Sequence, residues 1–352
     1  MVRTFVLVLL ATLALPAQAE PKTLPPHMSG LGVFTYKSSV GNTEGEQAKA
    51  YAKAVHDAGY HFVIVKSHDG GSWGTRVGRT WREAISRDLI AAFHGEGMRV
   101  YSYFTARLKT DTSVDESIQL AVRTLEMGAD GVVVDDLGLF GKSKARWERL
   151  FAQLRKQVDA RPWTILAFSS FPHLMQWKDV PWAVALKYAD FFLPQSYWKL
   201  FRDMSPQNAL AYTQGQFDAL RAYHPGHECT LVPVGMTYGK SVSATQITRF
   251  LQAAAPYYKG VALFLYEQMP KGGAKAIEGQ HSAYDPNRTV QNISLVDLFN
   301  GKTKPSADAT PPTAPSKPGK TDKPGKPKGK VKDKPMAKTE DKKPAGHWPF
   351  SR

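Results

Sequence analysis

Asp130-Gly131-Val132-Val133-Val134-Asp135-Asp136-Leu137-Gly138 sets three valines directly before two adjacent carboxylates. The valines read as a strand buried on both faces, which is the pattern of a parallel sheet covered by helices. Two acids side by side at a strand exit bring like charges together, which costs free energy unless water, a cation or a substrate compensates. The stretch therefore predicts a buried parallel strand that ends in a functional site.

Seven further runs of the same kind flank it: LGVFTY, HFVIV, MRVYSYF, WTILAF, DFFLP, TLVPVG and VALFLY. Counted from Gly32, Phe62, Arg99, Gly131, Thr164, Asp190, Leu231 and Val261, the steps are 30, 37, 32, 33, 26, 41 and 30 residues, each enough for one strand and one helix. Helix-start signals fall between the runs: Thr43-x-x-Glu46, Ser113-x-x-Glu116 and Ser243-x-x-Gln246 in capping-box form, and Pro206 as a first-turn proline. Eight βα units with no GxGxxG or Walker pattern favour an α/β (β/α)8 TIM barrel over an open doubly wound sheet.

The ends of the chain are different in kind. Residues 1–19 carry Arg3, an apolar stretch from Phe5 to Leu15 and Ala17-Gln18-Ala19, the form of a secretory signal peptide. The expectation is an exported protein, periplasmic or secreted, with no transmembrane segment. The single Cys229 allows no intrachain disulfide and reads as a small buried residue.

Residues 302–352 hold PSKPGKTDKPGKPKGKVKDKPMAKTEDKKP, which offers almost no aliphatic surface and reads as a disordered basic tail after a barrel over residues 20–301. From Gly301 onward, 14 Lys and Arg against 5 Asp and Glu give +9 of the total +15. Such a tail suits a solvated spacer or an anionic cell-wall or envelope surface; nucleic acid is not expected as a partner, because no aromatics interleave the basic run. Ending the chain near Gly301 should shift the melting temperature by only a few degrees, and a collapse measured by calorimetry would show that the tail packs.

In a (β/α)8 barrel the active site forms at the carboxyl ends of the strands. Those positions hold Tyr36 and Lys37, then Lys66, Ser67, His68 and Asp69, then Tyr103 and Arg107, then Asp135 and Asp136. They continue with Ser169 and Ser170, Gln195, Tyr197 and Trp198, Tyr238, and Glu267. Aromatic faces stack on the C–H faces of sugars, and carboxylates and amides bind hydroxyls in pairs, so the inventory suits a carbohydrate. Hydrolysis of a glycosidic bond needs two carboxyl groups, and the candidates are Asp135, Asp136, Glu267 and Asp69. Pairing of these acids with Arg107 or Lys66 is the structural alternative. No cofactor or metal is expected; His224-Pro-Gly-His227-Glu228 reads as a surface turn at the amino end of strand 7. Asn287-Arg-Thr289 and Asn292-Ile-Ser294 fit the glycan-acceptor pattern.

Two motifs, DGVVVDD at strand 4 and ADFFLPQSYW at strand 6, resemble the glycoside hydrolase-like TIM-barrel proteins, bacterial glycosidases that include hydrolases of peptidoglycan glycan strands. In that group strand 4 reads D-G-x-x-x-D-D, met here by Asp130, Gly131, Asp135 and Asp136. Strand 6 reads D-x-x-x-P-Q-x-Y-W, met by Asp190, Pro194, Gln195, Tyr197 and Trp198. The group usually has aromatics and a proline after its Asp pair, where this chain has Leu137-Gly138-Leu139-Phe140. Strand 4 is also similar to the chitinase D-G-x-D-x-D-x-E, with Val133 and Leu137 replacing its second Asp and its Glu. That likeness implies that Gly131, Val133 and Asp135 face the axis.

The resemblance implies an exported glycoside hydrolase acting on a bacterial polysaccharide, peptidoglycan strands among the candidates. From their places after the strands, Asp135, Asp136 and Glu267 are expected to be catalytic, and Tyr36, Lys66, His68, Asp69, Tyr103, Arg107, Gln195, Tyr197, Trp198 and Tyr238 to bind substrate. Its rivals are a non-catalytic glycan-binding barrel and a wall-associated scaffold acting through the tail.

Overall fold

The computed structural model describes residues 24–135, 143–177, 180–200, 203–227, 229–239 and 241–290. Asp136, Leu137–Phe140, Glu228, the 292–294 acceptor pattern, the expected signal peptide over residues 1–19 and the basic tail lie outside the described residues. Eight strands carry the fold: β1 Gly30–Thr35, β2 Phe62–Asp69, β3 Arg99–Thr105, β4 Gly131–Asp135, β5 Ile165–Ser170 and β6 Phe191–Pro194. They are followed by β7, made of Thr230–Leu231 and Val234–Met236, and by β8 Gly260–Phe264. Each strand is followed by a helix: α1 Gly45–Asp57, α2 Arg87–Gly95, α3 Asp111–Glu126, α4 Lys144–Asp159, α5 Trp182–Tyr188, α6 Pro206–Tyr223, α7 Ala244–Ala254 and α8 Gly273–Glu278.

Neighbours in sequence are neighbours in the sheet, all eight in parallel, and β1 pairs with both β2 and β8. The ring closes at β7, whose first half pairs with β6 and whose second half pairs with β8, with a bridge from Gln195 to Val234. Pro233 sits between the halves, where it has no N–H to give to either ladder, although its carbonyl still accepts from Ala262. The architecture is thus the (β/α)8 barrel that the strand spacing predicts. Its core is continuous, from Phe34, Phe62 and Tyr101 inside the ring to Trp147, Phe151 and Phe168 between the sheet and α4.

The helix-start signals resolve unevenly. Ser243 and Gln246 form the capping box of α7, and Ser205 caps α6 with Pro206 in its first turn. For α3 the cap is Thr110, and Ser113 is its reciprocal partner three residues on, so the box starts three residues earlier than the sequence reading placed it. Thr43 does not cap α1; its carbonyl instead accepts from Ser86, the cap of α2, so it ties two helix entrances together.

Below the site, two motif aspartates do the same structural work. Asp130 takes the Val100 N–H at 2.7 Å while its own N–H bonds the Val100 carbonyl at 2.7 Å. Asp190 takes the Leu166 N–H at 2.9 Å while its N–H bonds the Leu166 carbonyl at 2.8 Å. Arg99 at 2.7 Å and His94 at 2.8 Å complete the first carboxylate, and Arg155 at 2.9 Å the second. Burial pushes the Asp130 carboxyl up, but the bonds from His94, the Val100 N–H and Arg99 outweigh it and hold it below the usual range. The first Asp of each motif is therefore a clasp at the amino ends of the strands, the barrel face associated with stability.

Buried imidazoles give the fold a pH dependence. Burial and Lys66 push His68 down to about 3, and burial with nearby His281 pushes His61 down to about 4. The folded state therefore disfavours their charged forms, so the unfolded chain binds more protons below the ordinary imidazole value of 6.5. Stability is fully present above that value and is lost as pH falls from there toward about 4 and about 3. Urea unfolding at about pH 4.5 should give a free energy lower by about 2 kcal/mol or more than at about pH 7.5. His68→Gln should flatten that slope; equal slopes would show that His68 does not contribute.

Candidate active site

The inside of the ring follows from strand parity. Ser102 bonds Thr124 of α3, so even-numbered residues of β3 face the helices and Tyr101, Tyr103 and Thr105 face inward. On β2 the ladder to β3 shifts between Lys66 and His68, a bulge that reverses parity. Lys66 precedes the bulge, in register with inward-facing Tyr103, and points inward, with Nζ donating to Thr105 Oγ1 at 2.8 Å and lying 4.8 Å from the Tyr103 ring centre. His68 turns outward and stacks on Phe104 at 4.3 Å, fully buried, with Nδ1 against Ser67 Oγ at 2.9 Å. The expectation that His68 touches substrate is corrected accordingly: the bulge removes it from the mouth.

Asp135 ends β4 beside Thr105, its partner in register, and its Oδ1 accepts from Gln195 Nε2 at 3.1 Å. Gln195 also donates to Ser169 Oγ at 3.3 Å. Lys66, Thr105, Asp135, Ser169 and Gln195 thus form a polar arc from β2 to β6, with the carboxylate at its centre and nearly buried. Burial strengthens each of these interactions, because little water competes for the donors.

The other arc is aromatic. Tyr103 packs edge-on against Phe34 at 5.2 Å, and Phe34 against Phe264 at 5.4 Å. Phe264 meets Tyr238 at 5.7 Å, and Tyr238 meets Tyr197 at 5.6 Å. The chain of rings runs from β3 across β1 and β8 to the loops after β7 and β6. Rings at these spacings pack in edge-to-face geometry and hold one another rigidly. Tyr36, half-buried after β1, stands above them with Lys37 Nζ 5.5 Å from its ring centre.

Three predicted residues take other positions. Trp198 is fully buried and packs on Phe250 of α7 at 5.5 Å, so its indole has no face for a sugar to stack on. Period-two alternation explains it, since Tyr197 faces the ring and Trp198 the helices. Asp69 and Arg107 form a two-pronged ion pair at 2.9 and 3.0 Å on the rim, which is the structural alternative for that acid. Proximity to Asp69 raises the Arg107 guanidinium above its usual range.

Glu267 lies just past β8, and β8 stands opposite β4 in an eight-strand ring. Its Oε1 accepts from the N–H groups of Tyr36 at 2.7 Å, of Ser38 at 2.9 Å and of Lys37. Oε1 therefore anchors the loop after β1, and any chemistry falls to Oε2, which is buried without a hydrogen-bond partner. Among the described residues no group of three or more His, Cys, Asp or Glu side chains could hold a metal ion. None of their helices is long and apolar enough to cross a membrane.

Three solved structures share this arrangement of strands and helices. An endo-β-1,4-mannanase from Thermotoga petrophila superposes with a TM-score of 0.55 at 9% identity, over 75% of this chain and 78% of that one. A GH2 β-galacturonidase from Eisenbergiella tayi gives 0.52 at 9% identity, over 74% of this chain and 52% of the larger enzyme. The glycoside hydrolase domain of PgaB (BpsB) from Bordetella bronchiseptica gives 0.50 at 8% identity, over 74% of this chain and 100% of that domain. This chain has a glycoside hydrolase-like TIM-barrel fold.

At such identities the likeness carries the fold alone. No protein-family model matches the sequence, and no curated protein matches it. Within this barrel, the residues that sequence reasoning passed over are Thr105, Phe34 and Phe264, which complete the two arcs. Thr105 was accessible from parity, two residues beyond Tyr103 on the same face. Phe34 and Phe264 lie inside runs that look uniformly apolar, and nothing in such a run marks which ring lies at the mouth.

Proposed function

We propose that this barrel is an exported glycoside hydrolase that cleaves a bacterial polysaccharide, peptidoglycan glycan strands among the candidate substrates. The observation that carries the proposal is Asp135, nearly buried at the carboxyl end of β4, gripped by Gln195 and flanked by Thr105. A carboxyl group fixed in this way can exchange a proton with a glycosidic oxygen without first reorganising. The second carboxyl comes from Asp136, next in the chain, or from Glu267 Oε2 across the ring. Tyr36 offers a sugar-stacking face, while Tyr103, Tyr197 and Tyr238 shape the wall behind it.

The test is hydrolysis by the mature protein of a panel of bacterial polysaccharides, including glycan strands freed of peptide, read as new reducing ends. Turnover that disappears with Asp135 supports the proposal. No turnover on any substrate, with retained binding, would favour the non-catalytic glycan-binding barrel instead. That second reading draws on two observations: Glu267 Oε1 is committed to a loop, and Asp69 to Arg107.

A further inference from the structure

Between β2 and α2 the chain forms a small sheet of its own, in which Thr75–Val77 pairs antiparallel with Thr80–Arg82. Gly78 and Arg79 form its two-residue turn, and Gly78 has the positive φ of 63° that such tight turns demand. The excursion leaves from the rim of the mouth. Gly70 N–H bonds the Thr105 carbonyl at 2.9 Å, and a side chain at Gly70 would lie 3.0 Å from Arg107.

The base of the hairpin is fixed. Gly74 N–H bonds the Ser67 carbonyl at 2.7 Å, and a Cβ at Gly74 would come 2.1 Å from the Arg82 carbonyl oxygen, so the crossing admits no side chain. Trp73 donates from Nε1 to Glu83 at 3.1 Å, and Arg123 of α3 lies 4.1 Å from its ring centre. Arg123 also reaches Glu83 at 3.9 Å. A hairpin held at both feet presents its outer residues with little left to order on binding.

Those outer residues are Arg76, Arg79, Thr80, Trp81 and Arg82, all exposed. Arg76 and Trp81 are direct cross-strand partners, so guanidinium and indole emerge side by side on one face. Trp81 leaves 38% of its surface in water. From Gly70 to Arg82 there are three arginines and no carboxylate, and Glu83 is occupied by Trp73 and Arg123.

We propose that this hairpin is a binding site for an anionic polysaccharide. Indole stacks on the C–H face of a sugar ring, and arginine forks pair with carboxylate substituents two bonds at a time. An aromatic platform with a cationic rim selects a ligand that alternates apolar ring faces and negative charge, as a strand of acidic sugars does. The inference takes from the proposed function only that the ligand is a glycan. It adds that substrate strands carry acidic groups and are gripped outside the ring.

The experiment is titration calorimetry of the full chain with polygalacturonate, with its neutral methyl ester, and with a mixed-sequence DNA duplex. The variants are Trp81→Ala, Trp81→Phe and the double change Arg76→Gln with Arg79→Gln. The basic tail is common to all of them, so differences report the hairpin. Polygalacturonate should bind about tenfold tighter than its ester, and Trp81→Ala should weaken it about tenfold, with Trp81→Phe restoring most of the loss. The arginine pair should weaken binding and flatten its salt dependence.

Unchanged affinity in Trp81→Ala, equal affinity for the ester, or tighter binding of DNA than of polygalacturonate would overturn the proposal. Turnover is scored separately on a short neutral oligosaccharide, where Trp81→Ala should match the wild type. Binding without turnover in any variant would count against the hydrolase and leave the hairpin standing. Turnover with no effect of Trp81 on polygalacturonate binding would do the reverse.

Discussion

Replacing Asp135 by asparagine is expected to leave the barrel folded and to lower kcat on a susceptible polysaccharide by about 10² to 10⁴, the range for general acid-base catalysis. Asparagine keeps the size of the side chain and an oxygen that can accept from Gln195 Nε2, so the polar arc from Lys66 to Gln195 retains its shape. It cannot donate an acidic proton or carry a negative charge, and that difference is the whole of the expected loss. Circular dichroism and the melting temperature should therefore stay close to wild type while turnover falls. Gln195→Ala should cost less, because it frees the carboxylate without removing it.

Glu267→Gln separates two roles at the other side of the ring. If Oε2 takes part in chemistry, this variant should be nearly as inactive as Asp135→Asn. If Glu267 only anchors the loop through Oε1, the amide oxygen can still accept from the Tyr36 and Ser38 N–H groups, and kcat should stay within about tenfold. Full activity in both Asp135→Asn and Asp136→Asn would remove the catalytic role from the pair.

The order of elements was legible because parallel strands buried on both faces leave uninterrupted apolar runs, and the interval between runs is set by one helix and two turns. The site was legible in part, since position after a strand indicates the mouth but not the direction of a side chain. Direction depends on parity, and parity is lost wherever a bulge intervenes. Lys66 and His68 are two residues apart and would share a face in a regular strand, yet the bulge after Lys66 leaves it inward and turns His68 against Phe104. Tyr197 and Trp198 stand side by side in a strongly aromatic motif, and only their alternation distinguishes the ring-facing tyrosine from the core tryptophan. Asp69 and Glu267 are chemically suited to catalysis, and their engagement with Arg107 and with the loop after β1 depends on contacts 38 and about 230 residues away in sequence.

The clasp aspartate should give the opposite phenotype to Asp135. Asp130→Ala removes the acceptor of Arg99, His94 and the Val100 N–H at one stroke, and Arg99 is itself mostly buried. Leaving a buried cation and a buried N–H without their partner costs about 3 to 5 kcal/mol, since neither can recover water in the folded state. Urea unfolding at neutral pH should show that loss, while kcat measured well below the lowered melting temperature should remain near wild type. Asp190→Ala should cost less, because its carboxylate is partly exposed and water can reach Arg155. The two aspartates of DGVVVDD that lie within the described residues are five positions apart, at opposite ends of one strand. A variant of the lower one that melts as the wild type does, or that loses turnover without losing stability, would place its role at the mouth and overturn the division of labour along β4.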